Sequence, residues 1–337
     1  MDLIKRSRQR ILAGLVLLIT ACGGDSGTAP PPVELPSTGT STTALAYLNE
    51  VIGVMQDNSI HRATINWTAF RASVYAAAAP TQSGTQILPG ITKALALLGD
   101  GHSSYTAASG TFLFVPKRTC KASGAPLPAG IPPNIGYVQV GAFSGTAAQA
   151  TAFANAIQNT IRSADRDDLI GWIVDLRGNG GGNMWPMLAG LGPVLGDGLL
   201  GWFIDPLGAE VPWQYHDGAS WTGAAAAQRV DAPYTLMKPN PRVAVLVDNG
   251  VASSGEATFI AFRKRANTRS FGVATCGLST ANTGFYLSDG ALLNLTVSVM
   301  ADRAKTEYGD QLQPDEIIDG QALPVERAIA WLQTANP

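Results

Sequence analysis

A serine that follows a short apolar segment is the residue whose setting most suggests chemistry. The segment from Val243 to Asp248 is apolar up to its last residue, and small residues then lead to Ser253. This pattern predicts a strand, a turn and a helix from about Ser253 to Arg265. Unpaired N–H groups at the start of a helix favour negative charge, which suits a nucleophilic hydroxyl and a neighbouring oxyanion. Serine is also a preferred helix N-cap, so this segment alone favours a structural role over catalysis.

A serine nucleophile needs a base, and the chain has three histidines. His102 lies in a glycine-flanked turn, Leu98 to Ser104, where a side chain can face a cleft. His61 precedes a predicted helix and His216 lies in a loop, and packing or surface roles suffice for both. His102 is therefore the candidate general base.

A glycine-rich loop is the third chemical feature. The apolar segment Leu169 to Asp175 predicts a buried strand, and the glycines of residues 178–182 follow it. Glycines allow backbone N–H groups to approach a ligand closely. The loop lacks the Gly-Lys-Ser/Thr of a phosphate-binding loop, and Trp185-Pro186 interrupts a dinucleotide fingerprint. The pattern favours an oxyanion hole.

Elements of two kinds must position these residues. Helical spacing predicts three helices before His102: one through Leu48 and Ile52, one after an N-cap at Asn66, and one from about Leu88 to Leu98 that ends at Gly99. The apolar positions that define the first two are Leu45, Leu48, Ile52 and Met55, then Trp67, Phe70 and Val74. Their regular spacing indicates packing rather than ligand binding.

After this helical region the pattern changes to alternating strands and helices. Ile135 to Val140 predicts a strand, Thr146 to Ala164 a helix, and the buried strand ending at Asp175 completes a βαβ unit. Alternation of Leu293, Leu295, Val297 and Val299 with polar residues predicts a half-buried strand, and Val325 to Leu332 a final helix after Pro324. The fold class is therefore α/β: a mixed β-sheet core with packed helices, preceded by a small helical subdomain.

Composition excludes one class of partner. Of the 337 residues 46% are hydrophobic and 14% are charged, which indicates a globular protein. The formal net charge is −2 and the pI is near 5.9. This composition gives no basic excess for binding a phosphate backbone, so nucleic acid is not an expected partner.

The N-terminus predicts export and lipidation. Four basic residues precede the apolar run Ile11 to Ile19, which is too short to span a bilayer and is typical of a signal peptide. The run ends in Ile19-Thr20-Ala21-Cys22, which resembles a bacterial lipobox with Cys22 as the lipidated residue. Gly23 to Thr42 predicts a flexible tether. We expect a lipoprotein of the cell envelope, bound to a membrane through this lipid.

Two further cysteines, Cys120 and Cys276, remain in the exported body. An oxidising envelope permits a disulfide between them without requiring one. Neither cysteine lies in a metal-ligand spacing, so no metal site is predicted.

The motifs above, taken in order, resemble the tail-specific (C-terminal processing) serine peptidase family. The resemblance rests on the His102 turn, Ile135-Gly-Tyr-Val, Asp175-Leu-Arg-Gly-Asn-Gly-Gly-Gly, Ser253-Ser-Gly-Glu and Gln313-Pro-Asp. It covers most of the mature chain and implies a crotonase-like ββα core. It also implies peptide or unfolded protein substrates and chemistry without a cofactor.

The resemblance also implies roles for particular residues. One branch of the family uses a lysine base after a Gly-x-x-Thr strand, but this chain has Cys276-Gly277 there. The chain therefore resembles the tricorn-like branch, which implies His102 as base for Ser253. An acidic residue near the C-terminus would support the histidine. Glu307 is the first candidate, and Asp302 and Glu256 are alternatives.

The oxyanion hole implied by the resemblance consists of the N–H of Ser254 and one from Gly181 or Gly182. Asp175 and Arg177 are expected to brace the strand end rather than to react. Many relatives carry a PDZ domain, but residues 103–134 are too few to form one.

Four segments follow from these patterns. We predict a signal peptide over 1–21, a tether over 22–42, a helical subdomain carrying His102 over 43–105, and the protease core over 106–337. Two alternatives to a peptidase stay open: a catalytically silent family member that binds a hydrophobic ligand or peptide, and an esterase with the same catalytic groups. The oligomeric state and the physiological substrate are not predicted.

Overall fold

The structure is a computed structural model that describes residues 42–78, 87–122, 130–318 and 323–334. The predicted signal peptide, the lipidation site at Cys22 and nearly all of the predicted tether lie outside the described residues. No helix within the described ranges has the length and apolar character needed to cross a membrane. The boundaries proposed for the four segments stay predictions.

The described residues form seven helices and thirteen strands. The helices are α1 (Thr42–Asn58), α2 (Trp67–Ala78), α3 (Leu88–Leu98), α4 (Ala147–Ala164), α5 (Met184–Leu195), α6 (Ser254–Ile260) and α7 (Pro324–Gln333). The strands are β1 (Ser104–Thr106), β2 (Phe112–Phe114), β3 (Ile135–Gln139), β4 (Gly171–Asp175), β5 (Gly198–Ile204), β6 (Glu210–His216), β7 (Ala219–Thr222), β8 (Ala225–Arg229), β9 (Val243–Val247), β10 (Thr268–Gly272), β11 (Thr280–Tyr286), β12 (Leu292–Ala301) and β13 (Glu316–Ile317).

The predicted N-terminal helices are confirmed. Leu48, Ile52 and Met55 are fully buried on one face of α1, as their spacing predicts. The Asn66 side chain accepts a hydrogen bond from Ala69 N–H at the start of α2. α3 ends at Gly99, whose φ of 68° is the left-handed conformation of a helix C-cap.

A five-stranded sheet forms the centre of the core, in the order β13-β10-β9-β4-β3, with parallel pairing throughout. Helices α4, α5 and α6 cover one face, where Trp172 and Val245 are buried. Helix α7 covers the other face against Ile173, Leu246 and their neighbours. β4 and β9 are buried along their whole length. Each such apolar side chain contributes about 1.5–3 kcal/mol of burial free energy, so these strand ends are rigid supports.

A second sheet of eight strands is antiparallel in all its pairs. Its order is β2-β1-β12-β5-β6-β7-β8, with β11 also paired to β12. The strands β5 to β8 form successive hairpins that the sequence did not predict. β12 also departs from simple alternation: its pairing with β11 skips Val297, and Thr296 and Ser298, on either side of this bulge, are buried. Val297 and Val299, predicted to face the core, are only half-buried.

Two helices differ from expectation. α5 begins at Met184, directly after the glycine-rich loop. Pro186 does not prevent this start, because it lies in the first turn, where a missing N–H removes no helical hydrogen bond. α6 is shorter than the predicted Ser253 to Arg265. It ends at Ile260, and the chain then turns through residue Lys264, whose φ is +59°.

The two body cysteines form a disulfide, Cys120–Cys276. The segment Lys117–Ala122, here called the strap, thereby crosses the loops that precede α6 and β11. Lys117 packs against Gly101, and Ala122 packs against Gly250. The strap thus contacts both the loop that carries His102 and the loop that carries Ser253.

Candidate active site

Ser253 occupies the sharp turn between β9 and α6. Its φ of 53° and ψ of −119° are a strained conformation for a residue other than glycine. Such a turn projects the side chain away from both the strand and the helix, as in the nucleophile elbow of α/β-hydrolases. The residue is half-buried, so its hydroxyl can be reached from outside.

Glu256 holds this turn in place from the first turn of α6. Its Oε2 atom accepts hydrogen bonds from Ser253 N–H at 3.0 Å and Leu278 N–H at 2.6 Å. Its Oε1 atom accepts from Gly277 N–H at 2.9 Å and from the Thr275 hydroxyl at 2.5 Å. Burial raises the pKa of Glu256 to about 7, against the opposing effect of these four donors. The carboxylate accepts from the backbone N–H of the serine, and His102 is not among its hydrogen-bond donors.

His102 and Ser253 are brought together although 151 residues separate them. The His102 Nε2 atom lies 3.0 Å from Ser253 Oγ, within hydrogen-bond distance for proton transfer. Burial of the ring lowers the pKa of His102 to about 4, and the nearby charge of Asp100 only partly opposes this shift. The histidine is therefore neutral at pH 7, as a general base must be.

The loop of His102 is fixed by its own side chains. Asp100 accepts hydrogen bonds from His102 N–H at 2.8 Å and Ser103 N–H at 2.7 Å. The other nitrogen of the ring, Nδ1, lies 2.8 Å from the hydroxyl of Thr280 on β11. Asn282 on the same strand donates to the His102 carbonyl at 3.0 Å.

The glycine-rich loop lies beside the serine turn. Asn179 accepts a hydrogen bond from Ala252 N–H at 3.0 Å through its carbonyl, and the Ser254 hydroxyl donates to Gly182 O at 2.6 Å. A side chain at Gly181 would come within 2.9 Å of Ser253 Cβ, which shows how closely the loop approaches. Glycine is required here for this contact and for the φ of 101°.

These contacts select among the predicted oxyanion donors. Gly181 N–H donates to Asn179 Oδ1 at 3.0 Å and is therefore engaged. Gly182 is exposed, and its N–H has no acceptor among the described residues. Ser254 N–H lies at the first position of α6, where the helix provides no partner. Among the described residues, the N–H groups of Ser254 and Gly182 are thus the two predicted donors that have no hydrogen-bond acceptor.

The structure does not place Glu307 or Asp302 against His102, which corrects the expectation from the resemblance. Glu307 is exposed in a bridge with Ala301 after β12. Asp302 is buried, but it accepts hydrogen bonds from two backbone N–H groups of its own turn and from the Tyr308 hydroxyl. Both carboxylates belong to this turn, and Nδ1 of His102 has a hydroxyl as its partner instead.

Asp175 and Arg177 brace the strand end, as expected. Arg177 donates from Nε to Asp175 Oδ1 at 2.9 Å and from Nη2 to Oδ2 at 2.7 Å. Tyr137 on the neighbouring strand β3 donates to the same carboxylate at 3.0 Å. This bidentate ion pair between Arg177 and Asp175 keeps the end of β4 rigid beside the glycine-rich loop.

Sequence reasoning missed Thr280, Asn282 and the structural part played by Asn179. Thr280 and Asn282 are two residues apart on one strand, so their side chains share a face. Polar residues at alternate positions of a strand could have signalled such a face. Nothing in the local pattern linked that face to a histidine 178 residues earlier.

Comparison with known proteins gives a family and a fold. The sequence profile of Peptidase family S41 matches residues 134–318, more than half of the chain. The chain is 27% identical over 288 residues to the nisin-resistance protein of Lactococcus lactis subsp. lactis, covering 86% of each chain.

Two solved structures have the same overall architecture. A lipoprotein from Streptococcus agalactiae has a TM-score of 0.67 at 21% identity, over 89% of this chain and 99% of that one. The photosystem II D1 C-terminal processing protease has a TM-score of 0.55 at 18% identity, over 87% and 98% of the two chains. At these identities the similarity concerns the fold alone.

Proposed function

The chain belongs to Peptidase family S41, and on that premise we propose that it is a serine endopeptidase with Ser253 as nucleophile and His102 as general base. The observation that supports this most directly is the 3.0 Å distance between His102 Nε2 and Ser253 Oγ. The family membership makes peptides or unfolded proteins the expected substrates.

The proposed chemistry is acyl transfer through Ser253. His102 removes the hydroxyl proton of Ser253 as the oxygen attacks the carbonyl carbon of the scissile peptide bond. The carbonyl oxygen becomes an oxyanion, and the N–H groups of Ser254 and Gly182 stabilise it. His102 then gives the proton to the departing amine. A water molecule, activated by the same histidine, hydrolyses the acyl-enzyme and regenerates Ser253.

Several features favour catalysis over a silent binding protein. A protein that only binds peptides has no need for a strained serine held by a carboxylate, or for a neutral histidine within 3.0 Å of it. In a protein that only binds peptides, the free N–H groups beside the serine would also have no role. The same groups could cleave an ester, so relative rates on matched ester and peptide substrates decide between esterase and peptidase.

The test is hydrolysis of casein by the soluble body in four forms: wild type, Ser253→Ala, His102→Ala and His216→Ala. His216 stacks on Trp221 at the surface and serves as the matched histidine control. We expect activity in the wild type and the control, and none above background in the other two. Equal activity in all four forms, or none in the wild type, would support the binding protein.

The similarity to the nisin-resistance protein gives a candidate substrate class. That match covers 86% of both chains, so it includes the whole site rather than one motif. We propose short antimicrobial peptides, with nisin as the first one to test. Mass spectrometry of nisin after incubation with wild type and Ser253→Ala would show a serine-dependent cleavage product. If casein is cleaved and nisin is not, the peptidase proposal stands and this substrate class is wrong.

We also propose that the protein is a lipoprotein held at the cell envelope through Cys22. The proposal is supported by the basic residues, the apolar run and the Ile19-Thr20-Ala21-Cys22 sequence. Metabolic labelling with an alkyne fatty acid should label the wild type and not Cys22→Ala. Equal labelling of both would mean that lipid is absent from this residue.

A further inference from the structure

The hydrogen-bond partner of the His102 Nδ1 atom decides which ring nitrogen carries the hydrogen. His102 can accept a proton from Ser253 only if its Nε2 atom carries none, so the ring hydrogen must be on Nδ1. An N–H at Nδ1 needs an acceptor in this buried setting. In serine hydrolases a carboxylate usually fills that place, and among the described residues no carboxylate is hydrogen-bonded to the ring of His102.

Thr280 occupies the position of that acceptor. Its hydroxyl lies 2.8 Å from Nδ1, and the residue is only 7% exposed. Thr280 is the first residue of β11 and pairs with Val299 of β12, so its backbone is fixed by the sheet. A β-branched side chain in a strand has few rotamers, which fixes the direction of the hydroxyl.

A second residue of the same strand supports the histidine. Asn282 donates to the His102 carbonyl at 3.0 Å, and its own Oδ1 accepts from the Thr296 hydroxyl at 2.9 Å. Thr280 and Asn282 thus contact the ring and the backbone of His102 from one face of β11. The strand acts as a two-point support for the base.

We propose that Thr280 is a positioning residue: its hydroxyl accepts the Nδ1 hydrogen of His102 and so leaves Nε2 free to take the proton of Ser253. This proposal rests on the proposed peptidase function. A hydroxyl is neutral, so it can accept the Nδ1 hydrogen without adding the negative charge that would raise the pKa of the ring. The low pKa of His102, about 4, agrees with a neutral partner.

The direct test is the tautomer of His102 in the wild-type protein, read from ring ¹⁵N chemical shifts in protein labelled with ¹⁵N-histidine. The chain has three histidines, and His61→Gln and His216→Gln assign the other two signals. At pH 7 we expect the hydrogen on Nδ1. A hydrogen on Nε2 would mean that Thr280 donates to the ring, and the proposal would be wrong. This measurement needs no turnover, so it is independent of whether the protein is a peptidase.

Two variants complete the test. Thr280→Val keeps the shape and removes the acceptor, whereas Thr280→Ser keeps the hydroxyl. For Thr280→Val we expect a shift of the tautomer toward Nε2–H and a kcat lowered roughly 10- to 100-fold, with KM within about twofold. In Thr280→Ser the tautomer of His102 and kcat should stay close to the wild-type values. An unchanged tautomer and kcat in Thr280→Val would overturn the proposal while leaving the peptidase function intact. If Thr280→Val does not fold, the wild-type tautomer and Thr280→Ser still decide.

Discussion

At the scale of single residues, the site contains two buried ionisable groups whose pKa values are shifted in opposite directions. Burial lowers the pKa of His102 to about 4 and raises that of Glu256 to about 7. The histidine faces Ser253 and the glutamate faces the backbone behind it. The two groups therefore have different roles in the proposed mechanism: His102 would take the proton, and Glu256 holds the backbone of Ser253 in its strained conformation.

The lowered pKa of His102 predicts activity that persists at acidic pH. The base is active when unprotonated, so kcat/KM should fall on the acid side with an apparent pKa near 4 rather than the ordinary 6.5. The measurement is kcat/KM from pH 3.5 to 8 on a fluorogenic peptide, with circular dichroism to exclude acid unfolding. An acid limb near pH 7 that disappears in Glu256→Gln would contradict this assignment.

Replacing Glu256 by Gln should destabilise the fold. The amide has one acceptor oxygen, so two of the four buried donors lose their partner at about 1–3 kcal/mol each. We expect the free energy of unfolding in urea to fall by roughly 2–6 kcal/mol. Glu326→Gln, an exposed position in α7, is the control and should change it by less than about 0.5 kcal/mol.

The pH dependence of stability tests the same residue. Glu256 has a folded-state pKa of about 7 against an ordinary value of 4.5, so between these values the folded state binds more protons than the unfolded state. Its contribution to stability is thus complete below pH 4.5 and is lost as the pH rises through 7. Glu256→Gln should remove this decline, and an identical slope in both proteins would count against the raised pKa.

At the scale of elements, the core strands and helices were predictable because their apolar periodicity is local. The strands β3, β4 and β9 and the helix α4 were predicted within a few residues. The hairpins from β5 to β8 were not, because much of them is exposed and lacks alternation. The bulge at Val297 was also unpredictable, since it depends on how β12 pairs with β11. Thr280 could not be assigned for the same reason.

The tight contact between α6 and the glycine-rich loop predicts that alanine is unfavourable at Gly255, whereas alanine at Gly53, which lacks such a contact, is favourable. A Cβ at Gly255 would lie 2.2 Å from Asn179 O, so Gly255→Ala must push α6 away from the loop. We expect a loss of roughly 1–3 kcal/mol in the free energy of unfolding, together with lower activity. Gly53 in α1 has nothing within 4 Å, and Gly53→Ala should stabilise by about 0.5–1 kcal/mol. Stabilisation by both substitutions would refute this packing.

At the scale of the whole molecule, the candidate site joins distant parts of the chain. His102 comes from the turn after the helical region, Ser253 from the α/β core, and Thr280 from the antiparallel sheet. The sequence indicated the first two because each lies in a distinctive motif. It could not indicate Thr280, or exclude Glu307, because those outcomes depend on how the two sheets are arranged.

The disulfide Cys120–Cys276 should contribute strongly to stability because it spans 156 residues. Closing so long a loop in the unfolded chain predicts roughly 2–5 kcal/mol. We expect Cys120→Ser/Cys276→Ser to have a lower midpoint of urea unfolding than the oxidised wild type. Dithiothreitol should lower the midpoint of the wild type and leave the double variant unchanged. A wild type that is insensitive to dithiothreitol and carries two free thiols would contradict the disulfide.

The measurement that tests the central claim most directly is the mass of the intact soluble body after reaction with a fluorophosphonate. This reagent phosphonylates a serine only when a neighbouring base activates it. We predict one adduct on the wild type, mapped to Ser253 by peptide sequencing, and none on Ser253→Ala or His102→Ala. An unmodified wild type, or an adduct that persists without His102, would contradict a Ser253–His102 nucleophile and base.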